Sequence, residues 1–195
     1  MLELAPGIVS FENVWTESND LLFRLNVSQE NNLWSSAEVF HDNSDSSKSN
    51  LKLRDTDIIK LTNFDNDIID KNSSILNYFS HKFYENTSNY VKQYCDKFYC
   101  ILGMKENLPA QLLRYNKNQH YDYHVDDHAF QKRTLSLIYF INDDYEGGQV
   151  EFKNFNLSVS PQKNMLLLFP SNYMYMHRVV PVKNGTRYTI VQWFV

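Results

Sequence analysis

With 195 residues, a net charge of -4 and only two cysteines, the chain has the length of one domain, can bury a core without disulfides or structural metal, and lacks the basic excess of a non-specific nucleic-acid binder. Scarce Gly and Pro beside abundant aromatics exclude a collagenous or disordered chain, and Cys95 and Cys100 read as reduced packing residues. No apolar run reaches membrane-spanning length and the first residues lack a signal peptide's basic and apolar regions, so the expectation is a cytoplasmic protein without a membrane partner.

Ile8 to Val14 reads as a strand, followed by a helix that Thr16 can cap and whose Leu21, Leu22 and Leu25 share one side. Trp34 to Phe40 reads as another strand. Residues 41–50 are small, polar and aperiodic, a loop that serves either as a lid or as an idle surface excursion. Leu51 to Leu61 mixes alternation with charge and stays ambiguous between helix and strand. Beyond it, Ser73 or Ser74 can cap a helix carrying Leu76, Phe79, Phe83, Val91, Tyr94, Cys95 and Phe98 at helical spacing, with a break expected at residues 85–89. That stripe should pack on the outside of a sheet.

From Pro109 the texture changes to short alternating runs between turn signals. Expected strands are Gln111 to Asn116, Tyr121 to Asp126, Thr134 to Ile141, Gln149 to Phe152, Leu157 to Val159, Met165 to Phe169, Tyr175 to Val182 and Arg187 to Phe194. The fold class is therefore mostly β with supporting α-helices: a double-stranded β-helix, or cupin-like jelly-roll, with N-terminal helices packed on one sheet. We expect a single domain over 1–195, with 1–106 as support and lid region and 107–195 as the catalytic core.

His124 and Asp126 stand two apart in a strand-like run, so their side chains leave one face together. With His177 as a third ligand they form the two-His, one-carboxylate set of non-haem Fe(II) oxygenases. His120, Asp122 and His128 share the parity of the first pair and are decoys, read as surface or supporting groups. Arg187 lies ten residues beyond His177. A turn of odd length at Asn184-Gly185-Thr186 would place His177 opposite Trp193 and leave His177 and Arg187 facing one interior. A buried guanidinium there needs an anion, either one of the protein's own acids or a dicarboxylate cosubstrate.

The blocks Arg114-Tyr115, Tyr121-Asp122-Tyr123-His124-Val125-Asp126, Asp144-Tyr145-Glu146-Gly147-Gly148-Gln149-Val150-Glu151-Phe152, Leu167-Leu168-Phe169-Pro170-Ser171 and His177 through Tyr188 resemble the prolyl 4-hydroxylase group of Fe(II)/2-oxoglutarate dioxygenases. The resemblance covers about residues 109–195. It implies His124, Asp126 and His177 as iron ligands and Arg187 as partner of the distal carboxylate of 2-oxoglutarate. It further implies Tyr115 and Tyr121 along the cosubstrate pocket, with Trp193 and Tyr123 at the substrate side. Where some oxygen-sensing relatives carry a cosubstrate-binding Tyr, this chain has Phe140, so Thr189 is the candidate second donor.

What the resemblance implies for activity is O2-dependent conversion of 2-oxoglutarate to succinate and CO2 coupled to hydroxylation of an unactivated C–H bond, with ascorbate as a candidate reductant. Retention of Asp126 argues against halogenation. The expected substrate is a prolyl residue of a peptide or protein. A free amino acid, small metabolite or nucleobase is the alternative, and a non-catalytic jelly-roll module is the reading from another class.

Overall fold

The structure is a computed structural model that describes residues 1–27, 34–40, 47–48, 50, 52–61, 75–99, 107–129 and 131–195. The caps expected at Ser73 and Ser74, Cys100, and residues 41–46 and 49 of the expected lid lie outside them. Of that loop, Ser47–Lys48 pairs antiparallel with Val39–Phe40.

An eight-stranded sheet runs in the order Leu2–Ala5, Ile8–Phe11, Leu166–Pro170, Leu135–Phe140, Arg187–Phe194, Gln111–Tyr115, Asp57–Lys60, Ser35–Ser36. A five-stranded sheet faces it, ordered Leu157–Val159, Val150–Phe152, His177–Val179, His120–His124, Arg54–Asp55. This is the expected jelly-roll, and both N-terminal and C-terminal segments build each sheet.

The larger sheet is covered on both faces. Trp15, Phe79, Phe83 and Tyr94 from the helical side pack against Val9, Leu112, Leu137, Tyr139, Leu166 and Ile190. On the inner side, Ile138, Phe140, Leu167 and Phe169 meet Val150 and Phe152 of the smaller sheet. A strand so placed needs apolar residues at both parities, and Leu135–Phe140 is buried throughout. The same reason resolves the ambiguous run before residue 61: in Asp57–Lys60, Ile58 faces the inner core and Ile59 the helices.

The helix Ile75–Phe98 runs without the expected break. Asn86 Nδ2 donates to the Lys82 carbonyl and Thr87 Oγ1 to that of Phe83, both at 2.8 Å, so these polar groups bond back along the helix rather than capping a new one. The first helix is Ser18–Val27. Its Ser18 hydroxyl is used inside, 2.8 Å from the Tyr139 hydroxyl, where it fastens the helix to the sheet.

One strand expectation needs correction. Tyr175 to Val182 is not one strand paired with the last. His177–Val179 belongs to the smaller sheet, Val182–Asn184 pairs with Glu146–Gly147, and Arg187–Phe194 crosses into the larger sheet. Pro181 lacks a ladder donor and separates the first two segments. Trp193 therefore pairs with Ser136, not with His177. His177 and Arg187 face one interior from opposite sheets.

Candidate active site

His124 ends its strand, and Asp126 sits just past that end rather than within it. His124, Asp126 and His177 nevertheless converge, with ligand atoms all within 4.8 Å of one another. His124 Nε2 is 3.6 Å from Asp126 Oδ1, and His177 Nε2 is 3.8 Å from Asp126 Oδ2. Each imidazole is oriented by its other nitrogen: the Nδ1 of His124 donates to the Asp122 carbonyl at 2.8 Å and that of His177 to the Tyr175 carbonyl at 3.0 Å. Since a carbonyl only accepts, each Nε2 faces the carboxylate with its lone pair, where it could ligate a shared cation. Burial and the neighbouring His124 push the His177 pKa down to about 4, so it stands neutral, as a ligand must. Asp126 is held well below the usual carboxylate range: burial opposes ionisation, but the charge that His177 and His124 bring when protonated, with hydrogen bonds from His124 and Ser136, outweighs it. Two neutral imidazoles and one carboxylate, with the remaining directions open, fit Fe(II).

A β-bulge separates the ligand from its decoys. His177 pairs with His124, but Val179 pairs with Tyr121, so Asp122 and Tyr123 together oppose the single residue Arg178. Parity reverses across the bulge, and Tyr121 and His124 both face inward with rings stacked at 3.5 Å between centroids. His120 instead contacts the Lys52 carbonyl, and Asp122 is exposed. Tyr123 faces the opposite side from the expected pocket, with its hydroxyl donating to Glu151 at 3.4 Å and its ring under Arg178 and Lys153.

Across the cavity lies Arg187, 1% exposed and lining the same space as the triad. Arg114 pairs with Asp57 and Arg178 with Glu151, but among the described residues no carboxylate pairs with Arg187. Its Nη1 donates to Thr189 Oγ1 at 3.0 Å, and the rings of Tyr115 and Phe140 flank its charge at 4.9 and 5.3 Å. The cross-strand pairing of Arg187 with Tyr115 sets this arrangement.

The family model of the 2OG-Fe(II) oxygenase superfamily matches residues 110–195. The match covers the C-terminal part of the chain, less than half of it, which is therefore similar to that superfamily. Over 89 residues it is 33% identical to a PKHD-type hydroxylase of Crocosphaera subtropica, covering 41% of this chain and 39% of that protein. Over 54 residues it is 37% identical to human procollagen-lysine,2-oxoglutarate 5-dioxygenase 2, covering 27% of this chain and 7% of that protein. The chain thus spans well under half of these curated relatives. Among solved structures, a Trichoplax adhaerens prolyl hydroxylase in complex with a hypoxia inducible factor peptide fragment superposes with a TM-score of 0.73 at 19% identity, over 96% of this chain and 83% of that one. A Pseudomonas putida prolyl-4-hydroxylase gives 0.70 at 15% identity, over 96% and 91%. These structures share the fold. Fe(II), 2-oxoglutarate and O2 are the cofactor and cosubstrates of the superfamily, and the triad suits the metal.

Several side chains of this site are not evident from motif spacing. Ser136 Oγ donates to Asp126 Oδ2 at 2.7 Å and pairs with Ser171 Oγ at 2.8 Å. Its sequence signal is a lone polar residue in the apolar run 135–140. Replacing Ser136 with Ala should weaken Fe(II) binding about 10–100-fold, read by competition with a coloured chelator; unchanged affinity would mean that Asp126 is held without the serines. At the mouth, Arg133 stacks over Trp193 at 4.0 Å and donates to the Asp126 carbonyl, while Arg54 lies 4.8 Å over Tyr121. Burial and the Arg54 charge push the Tyr121 pKa in opposite directions, and burial prevails, raising it to about 12.

Proposed function

We propose that the chain is an Fe(II)- and 2-oxoglutarate-dependent dioxygenase that hydroxylates a prolyl residue of a peptide or protein. The observation that carries this is the fully buried Arg187, without a carboxylate partner among the described residues, on the wall of the cavity that holds His124, Asp126 and His177. A buried cation without a counter-ion is costly, and a dicarboxylate that reaches from Arg187 to the triad supplies one. Fe(II), held by those three residues, would supply the O2 activation that couples oxidation of 2-oxoglutarate to succinate and CO2 with insertion of one oxygen atom into a C–H bond.

The protein's own part is binding and orientation. Arg187 holds the distal carboxylate of 2-oxoglutarate, Thr189 fixes the guanidinium, and the apolar wall of Leu113, Ile138 and Val191 keeps water from the chain between the two ends. Tyr121 and Trp193 bound the side that opens to a broad groove, lined also by Arg54, Gln131 and Arg133. A groove of that kind suits an extended peptide better than a free amino acid. The peptide-bound Trichoplax relative and the procollagen-lysine relative point the same way. Among the described residues no helix is long and apolar enough to cross a membrane. A cytoplasmic setting accompanies the proposal, in keeping with a chain that has only two cysteines.

The test is succinate formation with a peptide panel. Proline-containing peptides should stimulate turnover and gain one oxygen on the ring, with free proline inert. Stimulation by lysine-containing peptides alone would move the assignment to lysyl hydroxylation, and stimulation by free amino acids alone would overturn the peptide reading.

A further inference from the structure

Tyr145 stands in the turn before Gly147 and Gly148, outside both large sheets. Its hydroxyl is enclosed beside the Arg187 guanidinium, which can only donate to it, and no group among the described residues accepts its proton. Two glycines make its position possible. A Cβ on Gly148, at φ +66, would fall 2.8 Å from Arg187 Cδ and 2.9 Å from Tyr145 Cε2; one on Gly185, at φ +77, would fall 3.0 Å from Tyr145 Cβ. The ring of Tyr145 and the stem of Arg187 therefore close on the same point above Gly148. Burial pushes the phenol pKa up to about 12 against the nearby Arg187 charge, so the hydroxyl keeps its proton across the working range.

The same corner holds a second unmet donor, the Nε of Arg187. Thr189 Oγ1 accepts from Arg187 Nη1, which leaves the Nε unmet, and Phe140 carries no hydroxyl. Enclosed donors without acceptors are rare and destabilising, and two beside one another imply a ligand that satisfies both. A carboxylate does so, since its two oxygens accept from a guanidinium and a phenol together.

We propose that Tyr145 Oη donates a hydrogen bond to the distal carboxylate of the 2-oxo acid held by Arg187, filling the place that Phe140 cannot. This rests on the reading of Arg187 as the cosubstrate anchor. It makes the Tyr145-to-Gly148 turn a specificity element for a second carboxylate, whereas a Tyr145 that merely packs would leave the cosubstrate's far end indifferent to its hydroxyl.

The test compares wild type with Tyr145→Phe, each loaded anaerobically with Fe(II) and titrated with 2-oxoglutarate and with 2-oxovalerate, which carries a methyl group where 2-oxoglutarate has its distal carboxylate. The variant should bind 2-oxoglutarate about tenfold more weakly, the size of one charge-assisted hydrogen bond, and 2-oxovalerate as wild type does. Without ligand, its thermal midpoint should stay close to that of wild type, because the hydroxyl's proton has no acceptor among the described residues. Unchanged 2-oxoglutarate affinity, equal losses for both acids, or a lowered ligand-free midpoint would each overturn the role of Tyr145 while leaving the Arg187 reading in place. Failure of wild type to bind 2-oxoglutarate at all would overturn both.

Discussion

Replacing Asp126 with Ala should lower iron-dependent 2-oxoglutarate turnover on the order of a hundredfold or more, since loss of an outer partner of a metal ligand alone costs about 10–100-fold and this change removes the ligand. The expectation follows from position. Asp126 is the one carboxylate among the three groups that converge within 4.8 Å, and each of its oxygens faces one imidazole. Without it, two neutral imidazoles would have to hold a divalent cation with no negative charge from the protein. The fold should survive. Asp126 lies past the end of His120–His124, in no strand, and the Ser136 hydroxyl that it releases still has Ser171 as partner. Circular dichroism should therefore match wild type while succinate release fails. Turnover near that of wild type would remove Asp126 from the metal site.

Arg187→Ala should weaken 2-oxoglutarate binding about a hundredfold or more, because unpairing one member of a buried ion pair costs roughly 3–5 kcal/mol. Here the pair forms only with the ligand, since Arg187 has no carboxylate partner among the described residues. The free protein bears the cost of a desolvated guanidinium, and an apolar replacement of similar length should relieve it. Arg187→Met is thus expected to bind 2-oxoglutarate as poorly as the alanine variant while melting no lower than wild type without ligand. Arg187→Lys keeps the charge but loses the planar fork, and should fall between. Equal affinity across the series would place the anion site elsewhere; a large loss of ligand-free stability in Arg187→Met would give Arg187 a structural role.

Why some of this was legible in the sequence and some was not is a matter of which physical rule acts locally. The β-rich half was readable because strands such as Arg187–Phe194 alternate, with Arg187, Thr189 and Val191 on the cavity side and Ile190 against the helices. Asp57–Lys60 was not, because a strand covered on both faces shows no alternation. The spacing of His124 and Asp126 pointed to one site, yet the reason differs from simple strand parity: the strand stops at His124 and a bulge separates it from His120 and Asp122. Bulges leave no dependable mark in a single sequence, so the decoys could be removed only by register. The pairing of His177 with Trp193 failed for a related reason, since Pro181 and the turn at Gly185 carry the chain from one sheet to the other. Tyr145 was invisible as a site residue because its placement depends on room above Gly148 and beside Gly185, which is a property of three dimensions. Ser136 was hidden inside an apolar run that reads as pure core.

The most direct measurement is anaerobic: Fe(II) is added to purified protein, then 2-oxoglutarate, and the visible spectrum is recorded for wild type and for His177→Ala. A chelated 2-oxo acid on ferrous iron gives a weak metal-to-ligand charge-transfer band. Wild type should show it and His177→Ala should not. Iron binding without the band in wild type would contradict the assignment of the cavity between Arg187 and the triad to 2-oxoglutarate, and absence of iron binding would contradict the metal site itself.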